Sequence, residues 1–197
     1  MGHSGGSRIL VVDDEVDVAE TYASQLRDRH DVEVAYSGEA ALSALDESVD
    51  IVLLDREMPG RSGCEVLTAI RDKEIGARVA MVTGEEPDFD IIEMPFDDYL
   101  VKPVPQAALS RTVDRLQRCV TYDERLREYY SLTAKRAALL SSKSRAECAA
   151  SAAFQSLEAE ITSVRSSLDD ITEAFDTGDF ERAFRDIERP PETTSAE

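Results

Sequence analysis

The sequence predicts an α/β fold, a doubly wound sheet of five parallel strands, followed by an all-α helical hairpin. Three observations carry this. Five short apolar runs, at 9–12, 32–35, 51–54, 79–82 and 99–101, read as strands, and four of them have the length and β-branched or fully apolar content of strands buried on both faces. Helical spacing fills the intervals between them. Past Pro103 no strand signal returns, and apolar residues fall mostly three or four apart. Strict alternation of strand and helix implies right-handed crossovers, and it places a ligand site at the carboxyl ends of the strands.

The elements follow in order. After the first run, Val16, Ala19, Tyr22, Ala23 and Leu26 form one helical face. Ala40, Ala41, Ala44 and Leu45 form a second, and Val66, Leu67 and Ile70 a third. Between the fourth and fifth strands the chain carries Pro87 and Pro95, so any helix there is short or deformed, limited to about 88–93. From Gln106 to about Ser142 one long helix is expected, its apolar face carried by Leu109, Val113, Leu116, Val120, Leu126, Tyr129, Thr133, Ala137 and Leu140. A break near Ser141 and Ser142 precedes another helix. There Phe154, Leu157, Ile161, Val164, Leu168, Ile171 and Phe175 alternate spacings of three and four, a narrow a/d seam. Thr177-Gly178-Asp179 supplies a stop and an N-cap for a short third helix bearing Phe180, Ala183, Phe184 and Ile187, ended by Pro190-Pro191. The expected organisation is a flexible leader at 1–6, an α/β domain at 7–118, a helical domain at 119–189 and a disordered tail at 190–197.

Composition narrows the function classes. The formal charge is −19, with 25 Asp and Glu against 12 Lys and Arg in residues 1–120 and 16 against 10 in the remainder. No basic cluster stands out, which argues against direct binding of nucleic acid, since that needs cationic surface to displace counterions. A uniform acidic bias suits a surface selected for solubility in high salt and points to a halophile. No run is long and apolar enough to span a bilayer. Three widely spaced cysteines, Cys64, Cys119 and Cys148, form no C-x-x-C pair, so a disulfide framework is not expected and a reducing cytoplasm is.

The residues that carry chemistry stand at strand ends. Asp13, Asp14 and Glu15 follow the first strand and Asp55 follows the third. Carboxylates converging on one sheet edge repel unless a cation sits among them, and oxygen ligands with room for water suit Mg²⁺, with Mn²⁺ as the substitute. Helix capping alone, for instance by Asp14, would explain one such aspartate but not the cluster. Thr83-Gly84 follows the fourth strand and Lys102-Pro103 the fifth. Carboxylates, a hydroxyl and an ammonium on one rim are equipped to receive a phosphoryl group, because the cations take up charge on its oxygens.

The motifs in this order resemble the response-regulator receiver family: 9–15, 53–60 with Gly63, 82–84, and 99–103 with its Lys-Pro step. The resemblance covers about residues 7–118. It implies a flavodoxin-like receiver in which Asp55 accepts the phosphoryl group, Asp14 binds the metal directly, Asp13 binds it largely through water, and the backbone carbonyl of Glu57 adds another ligand. Lys102 would pair with phosphoryl oxygens and precede a cis peptide at Pro103. Thr83 and Tyr99 would form the switch pair, the hydroxyl moving to the phosphoryl group while the ring turns inward. The family implies a sensor histidine kinase as the phosphoryl source and, at most, slow self-dephosphorylation rather than enzymatic turnover. The shortened stretch between Thr83 and Tyr99 departs from the family's pattern and puts its usual dimer face in doubt.

Residues 119–189 resemble the helical HalX domain found behind receivers in haloarchaeal regulators. This predicts a two-component response regulator whose output is protein interaction through a helical hairpin, with an unknown downstream protein and a possible homodimer. A transcriptional regulator acting on DNA directly or through a partner is the alternative, weakened by the lack of a basic recognition helix. A phosphatase using Asp55 as nucleophile is a third reading, disfavoured by the Asp13-Asp14 pair and by Met58-Pro59.

Overall fold

The computed structural model describes residues 6–176. The expected third helix at 180–187 and the tail at 190–197 lie outside them, as do most of the leader and the side chain of Phe175. By its internal contacts the chain divides into two units, 1–120 and 121–197.

In the first unit, β1 (Arg8–Val12), β2 (Asp31–Ala35), β3 (Ile51–Leu54), β4 (Arg78–Thr83) and β5 (Asp98–Val101) form one parallel sheet in the order β2-β1-β3-β4-β5. Three helices intervene: α1 (Val16–Leu26), α2 (Gly38–Ala44) and α3 (Gly63–Asp72). Side chains alternate along each strand, so two cores result. Leu10, Val12, Val52, Leu54, Val79 and Met81 pack with α2 and α3 on one face. Ile9, Val11, Ile51, Leu53, Ala80 and Val82 pack with α1 and with Leu109, Val113 and Leu116 on the other. Burial on both faces is why these runs are apolar throughout.

Local chemistry sets the boundaries of α3. Ser62 accepts from the Glu65 amide while the Glu65 carboxylate accepts from the Ser62 amide, a reciprocal capping box. Gly63 follows because nothing larger fits: a Cβ there would fall 2.0 Å from the Asp55 carbonyl oxygen. Gly60 takes the left-handed φ of 79° that turns the chain between β3 and α3.

The link between β4 and β5 holds only a 3₁₀ turn, Phe89–Glu93, capped by the Asp88 side chain. None of its residues is buried, and Phe89 is 84% exposed and Ile92 76% exposed, so apolar packing does not fix it. Arginines do instead. Arg71 donates to the carbonyls of Pro95 (2.9 Å) and Ala77 (2.8 Å) and pairs with Asp97 at 2.8 Å. The Asp97 carboxylate also meets Arg78 at 2.6 Å and the Val79 amide at 2.8 Å, which anchors the entry to β5.

A single helix, α4 (Gln106–Ser142), runs through the boundary between the two units. In the second unit its later turns are joined by α5 (Arg145–Ala150), capped by a Ser144–Glu147 box, and by α6 (Ala152–Asp176). The a/d seam of α6 is turned inward: Val164 is buried and Phe154, Leu157, Ile161, Leu168 and Ile171 are half-buried. The matching face of α4 departs from expectation. Leu132 is the buried residue, while Ala137 and Leu140 are exposed. Beyond Thr133 the bridge from α4 to α6 is polar, the Arg136–Glu158 pair at 2.5 Å, so the last turns of α4 bury no apolar face. The short α5 was likewise not expected as a separate element.

Candidate functional site

The sheet order reverses between β1 and β3, and the two strands lie side by side. Their carboxyl ends carry Asp13 and Asp55. Each aspartate amide continues the ladder, Asp13 to the Ala35 carbonyl at 3.1 Å and Asp55 to the Val12 carbonyl at 2.9 Å, so the backbone fixes both positions. Both side chains are buried and Asp14 is half-buried. One carboxylate oxygen from each of Asp13, Asp14 and Asp55 lies within 4.8 Å of the others. Three hard anionic oxygens this close fit a divalent cation that keeps water in its remaining positions.

Lys102 reaches into the cluster from the end of β5. Its ammonium lies 2.7 Å from Asp13, 2.9 Å from Asp55 and 3.8 Å from Glu15. The Lys102–Pro103 peptide is cis. Burial opposes the lysine's charge, but the bonds to Asp13 and Asp55 outweigh it and hold the ammonium above its usual pKa. Asp13 is shifted up by burial, against the pull of Lys102 and of the Glu15 amide, which donates to it at 3.0 Å. The Glu15 side chain, expected at this sheet edge with Asp13 and Asp14, borders the site.

Thr83, the last residue of β4, is buried, and its Oγ1 accepts from the Glu85 amide at 3.4 Å. Tyr99, in the edge strand β5, is half-buried beside Phe96, and its hydroxyl donates to the Glu85 carbonyl at 3.0 Å. The two expected switch residues thus meet at the backbone of Glu85. The Glu85 carboxylate in turn pairs at 2.9 Å with Arg56, the residue directly after Asp55, and Arg56 also bonds Asp90 in the 3₁₀ turn. The Asp90 bond leads the interactions that raise the Arg56 pKa, with Tyr99 and Glu85 contributing against burial. Arg56 and Glu85 were missed by sequence reasoning. The available signal was an arginine beside Asp55 in a strongly acidic chain, facing two acids in a segment too short for a helix.

Residues 9–114 match the response regulator receiver domain and residues 118–184 match the HalX domain. The chain belongs to the response regulator receiver family, with a HalX domain behind the receiver. A protein of Haloferax volcanii that bears a transcriptional-regulator name is 49% identical over 132 residues, which cover 66% of this chain but only 23% of that protein. A CheY-like receiver domain from Methanospirillum hungatei is 27% identical with a TM-score of 0.53, covering 58% of this chain and 97% of its own. The BeF₃-activated receiver domain of DrrB, a Thermotoga maritima protein, is 26% identical with a TM-score of 0.53, covering 56% of this chain and 97% of its own. The similarity reaches a haloarchaeal protein, in line with the acidic composition. Among the described residues, no helix is long and apolar enough to cross a membrane.

Proposed function

We propose that a histidine kinase phosphorylates this response regulator on Asp55, and that the helical domain passes the signal to a protein partner. The observation that carries the reading is the buried Asp55 carboxylate set 2.9 Å from Lys102, within a three-aspartate cluster at the switch point of the sheet. A carboxylate oxygen of Asp55 forms the bond to phosphorus. The bond from phosphorus to the donor, nitrogen in a phosphohistidine or oxygen in acetyl phosphate, breaks, and its electron pair leaves with the donor. Lys102 is already in place to exchange its contact with Asp55 for one with a phosphoryl oxygen. Asp13, Asp14, Asp55 and the Glu57 carbonyl would hold Mg²⁺, or Mn²⁺ in its place, and when bound the ion supplies countercharge to the phosphoryl oxygens.

Thr83 and Tyr99 serve as the switch, the threonine hydroxyl turning to the phosphoryl group and the ring following into the vacated space. The chain acts as phosphoacceptor, with slow loss of the phosphoryl group to water as its own reaction, in a cytoplasmic setting. The name of the Haloferax relative favours an output on transcription, and the charge of −19 favours reaching DNA through a partner rather than by direct contact.

Incubation of the full chain with acetyl phosphate and Mg²⁺ in molar KCl tests this by intact mass. One phosphoryl group should be gained by the wild type and by no Asp55→Asn sample. A wild type that gains none overturns the assignment.

A further inference from the structure

Two exposed surfaces of this chain are opposite in charge and alike in apolar content. The first is the segment between β4 and β5, where Phe89 and Ile92 stand in solvent. Residues 85–93 hold Glu85, Glu86, Asp88, Asp90 and Glu93 and no lysine or arginine. Arg56 pairs with Glu85 and Asp90, while Glu86 and Glu93 are exposed and carry no ion pair among the described residues. The second surface is the end of α4. Residues 129–146 hold Lys135, Arg136, Lys143 and Arg145 and no acid, the longest acid-free stretch of this acidic chain. Lys135, Leu139, Leu140 and Lys143 follow one another at helical spacing and form one stripe, with Leu139 38% and Leu140 39% exposed. Arg136 is taken by Glu158, but Lys135 and Lys143 carry no ion pair among the described residues.

We propose that residues 85–93 of one copy of this chain dock on the Lys135–Lys143 stripe of α4 in a second copy. Phe89 and Ile92 meet Leu139 and Leu140, and the acids meet the lysines. Each copy carries one segment and one stripe, so a two-fold axis makes the contact twice and closes the pair. Segment against segment, or stripe against stripe, would set like charges together. The stripe lies on the last turns of an unbroken 37-residue helix, which has no hinge to bring its end back along itself, and a second copy is therefore the occupant. Four cations on a chain of net charge −19 do not make a nucleic-acid surface. In high salt the apolar side chains supply the attraction, while the charges, screened beyond about 3 Å at 1 M, act at contact and select the register. The contact does not depend on whether Asp55 accepts a phosphoryl group.

Sedimentation equilibrium of the full chain, in the lowest KCl concentration that keeps it folded, reads the association. The wild type should pass from monomer to dimer across the micromolar range, as small interfaces do. Phe89→Ser with Ile92→Ser should abolish the dimer over that range. Glu86→Lys with Glu93→Lys, or Lys135→Glu with Lys143→Glu, should each weaken it roughly tenfold, because facing charges become alike in both contacts. All four charge changes in one chain should restore the dimer, since segment and stripe are then complementary again with their signs exchanged. Every substituted residue is exposed, and circular dichroism checks that each variant is folded. A wild type that stays monomeric overturns the proposal. So does a dimer indifferent to the α4 changes, or one that the folded fourfold variant fails to restore.

Discussion

The ammonium of Lys102 lies 2.9 Å from a carboxylate oxygen of Asp55 and 2.7 Å from one of Asp13, and all three side chains are largely shielded from solvent. One cation thus bridges two anions that would otherwise repel each other out of water. Replacing Lys102 with Met leaves two buried carboxylates without their partner, a change that costs about 3–5 kcal/mol in comparable buried pairs. A divalent cation offsets part of that loss by taking the lysine's place between the carboxylates. Thermal denaturation should therefore show Lys102→Met well below wild type in EDTA, with the gap narrowed by millimolar Mg²⁺. An equal gap in both buffers would mean that the ion does not stand in for the lysine's charge in the cluster.

Asp14 differs from its neighbours because Lys102 is not bonded to it, yet it offers an oxygen within 4.8 Å of both Asp13 and Asp55. Without metal it adds only repulsion; with metal it is a ligand. Asp14→Asn should raise the melting temperature slightly in EDTA, by the few tenths to about 1 kcal/mol that a nearby like charge costs, and should lose most of the stabilisation Mg²⁺ gives the wild type. The crossing of the two melting curves on adding Mg²⁺ is the diagnostic. A variant that Mg²⁺ stabilises as much as wild type would remove Asp14 from the ligand set.

Gly63 sits where α3 begins and where the loop from β3 returns, its amide donating to the Arg56 carbonyl at 2.9 Å. A methyl group at this position would fall 2.0 Å from the Asp55 carbonyl oxygen, which is backbone and cannot swing aside. Gly63→Ala should cost about 2–3 kcal/mol in urea denaturation, within the range for overpacking, by pushing α3 and the Asp55 loop apart. The same displacement should slow labelling by acetyl phosphate in the fraction that remains folded.

The sheet was legible because strands buried on both faces leave continuous apolar runs, as at Ile51–Leu54, and the rule that sites lie at strand ends then gathered Asp13, Asp14, Asp55, Thr83 and Lys102 at one edge. The proline pair likewise foretold a shortened element, found as the 3₁₀ turn Phe89–Glu93. Arg56 and Glu85 were not legible, since their pairing depends on the path of an irregular segment and no periodicity encodes that path. The α4 face failed for a different reason. Spacings of three and four leave Leu132 and Thr133 as equal candidates, and it is Leu132 that is buried, with the Arg136–Glu158 pair bridging the two helices beyond it.

His30 closes the turn between α1 and β2, buried, with no hydrogen-bond partner for its Nδ1. Burial, and after it the charge of Arg29, pushes the imidazole below its ordinary 6.5, while Asp114 pulls weakly the other way. The unfolded chain therefore takes up this proton more readily than the folded one. The contribution of His30 to stability is complete above about pH 6.5 and is lost as the pH falls from there through the lower folded value, with a slope of at most about 1.4 kcal/mol per pH unit for one proton. Urea denaturation between pH 7.5 and pH 5 should show the wild type losing stability faster than His30→Gln, whose side chain does not titrate. Identical slopes for the two proteins would mean that the acid sensitivity of the fold comes from its carboxylates and not from this histidine.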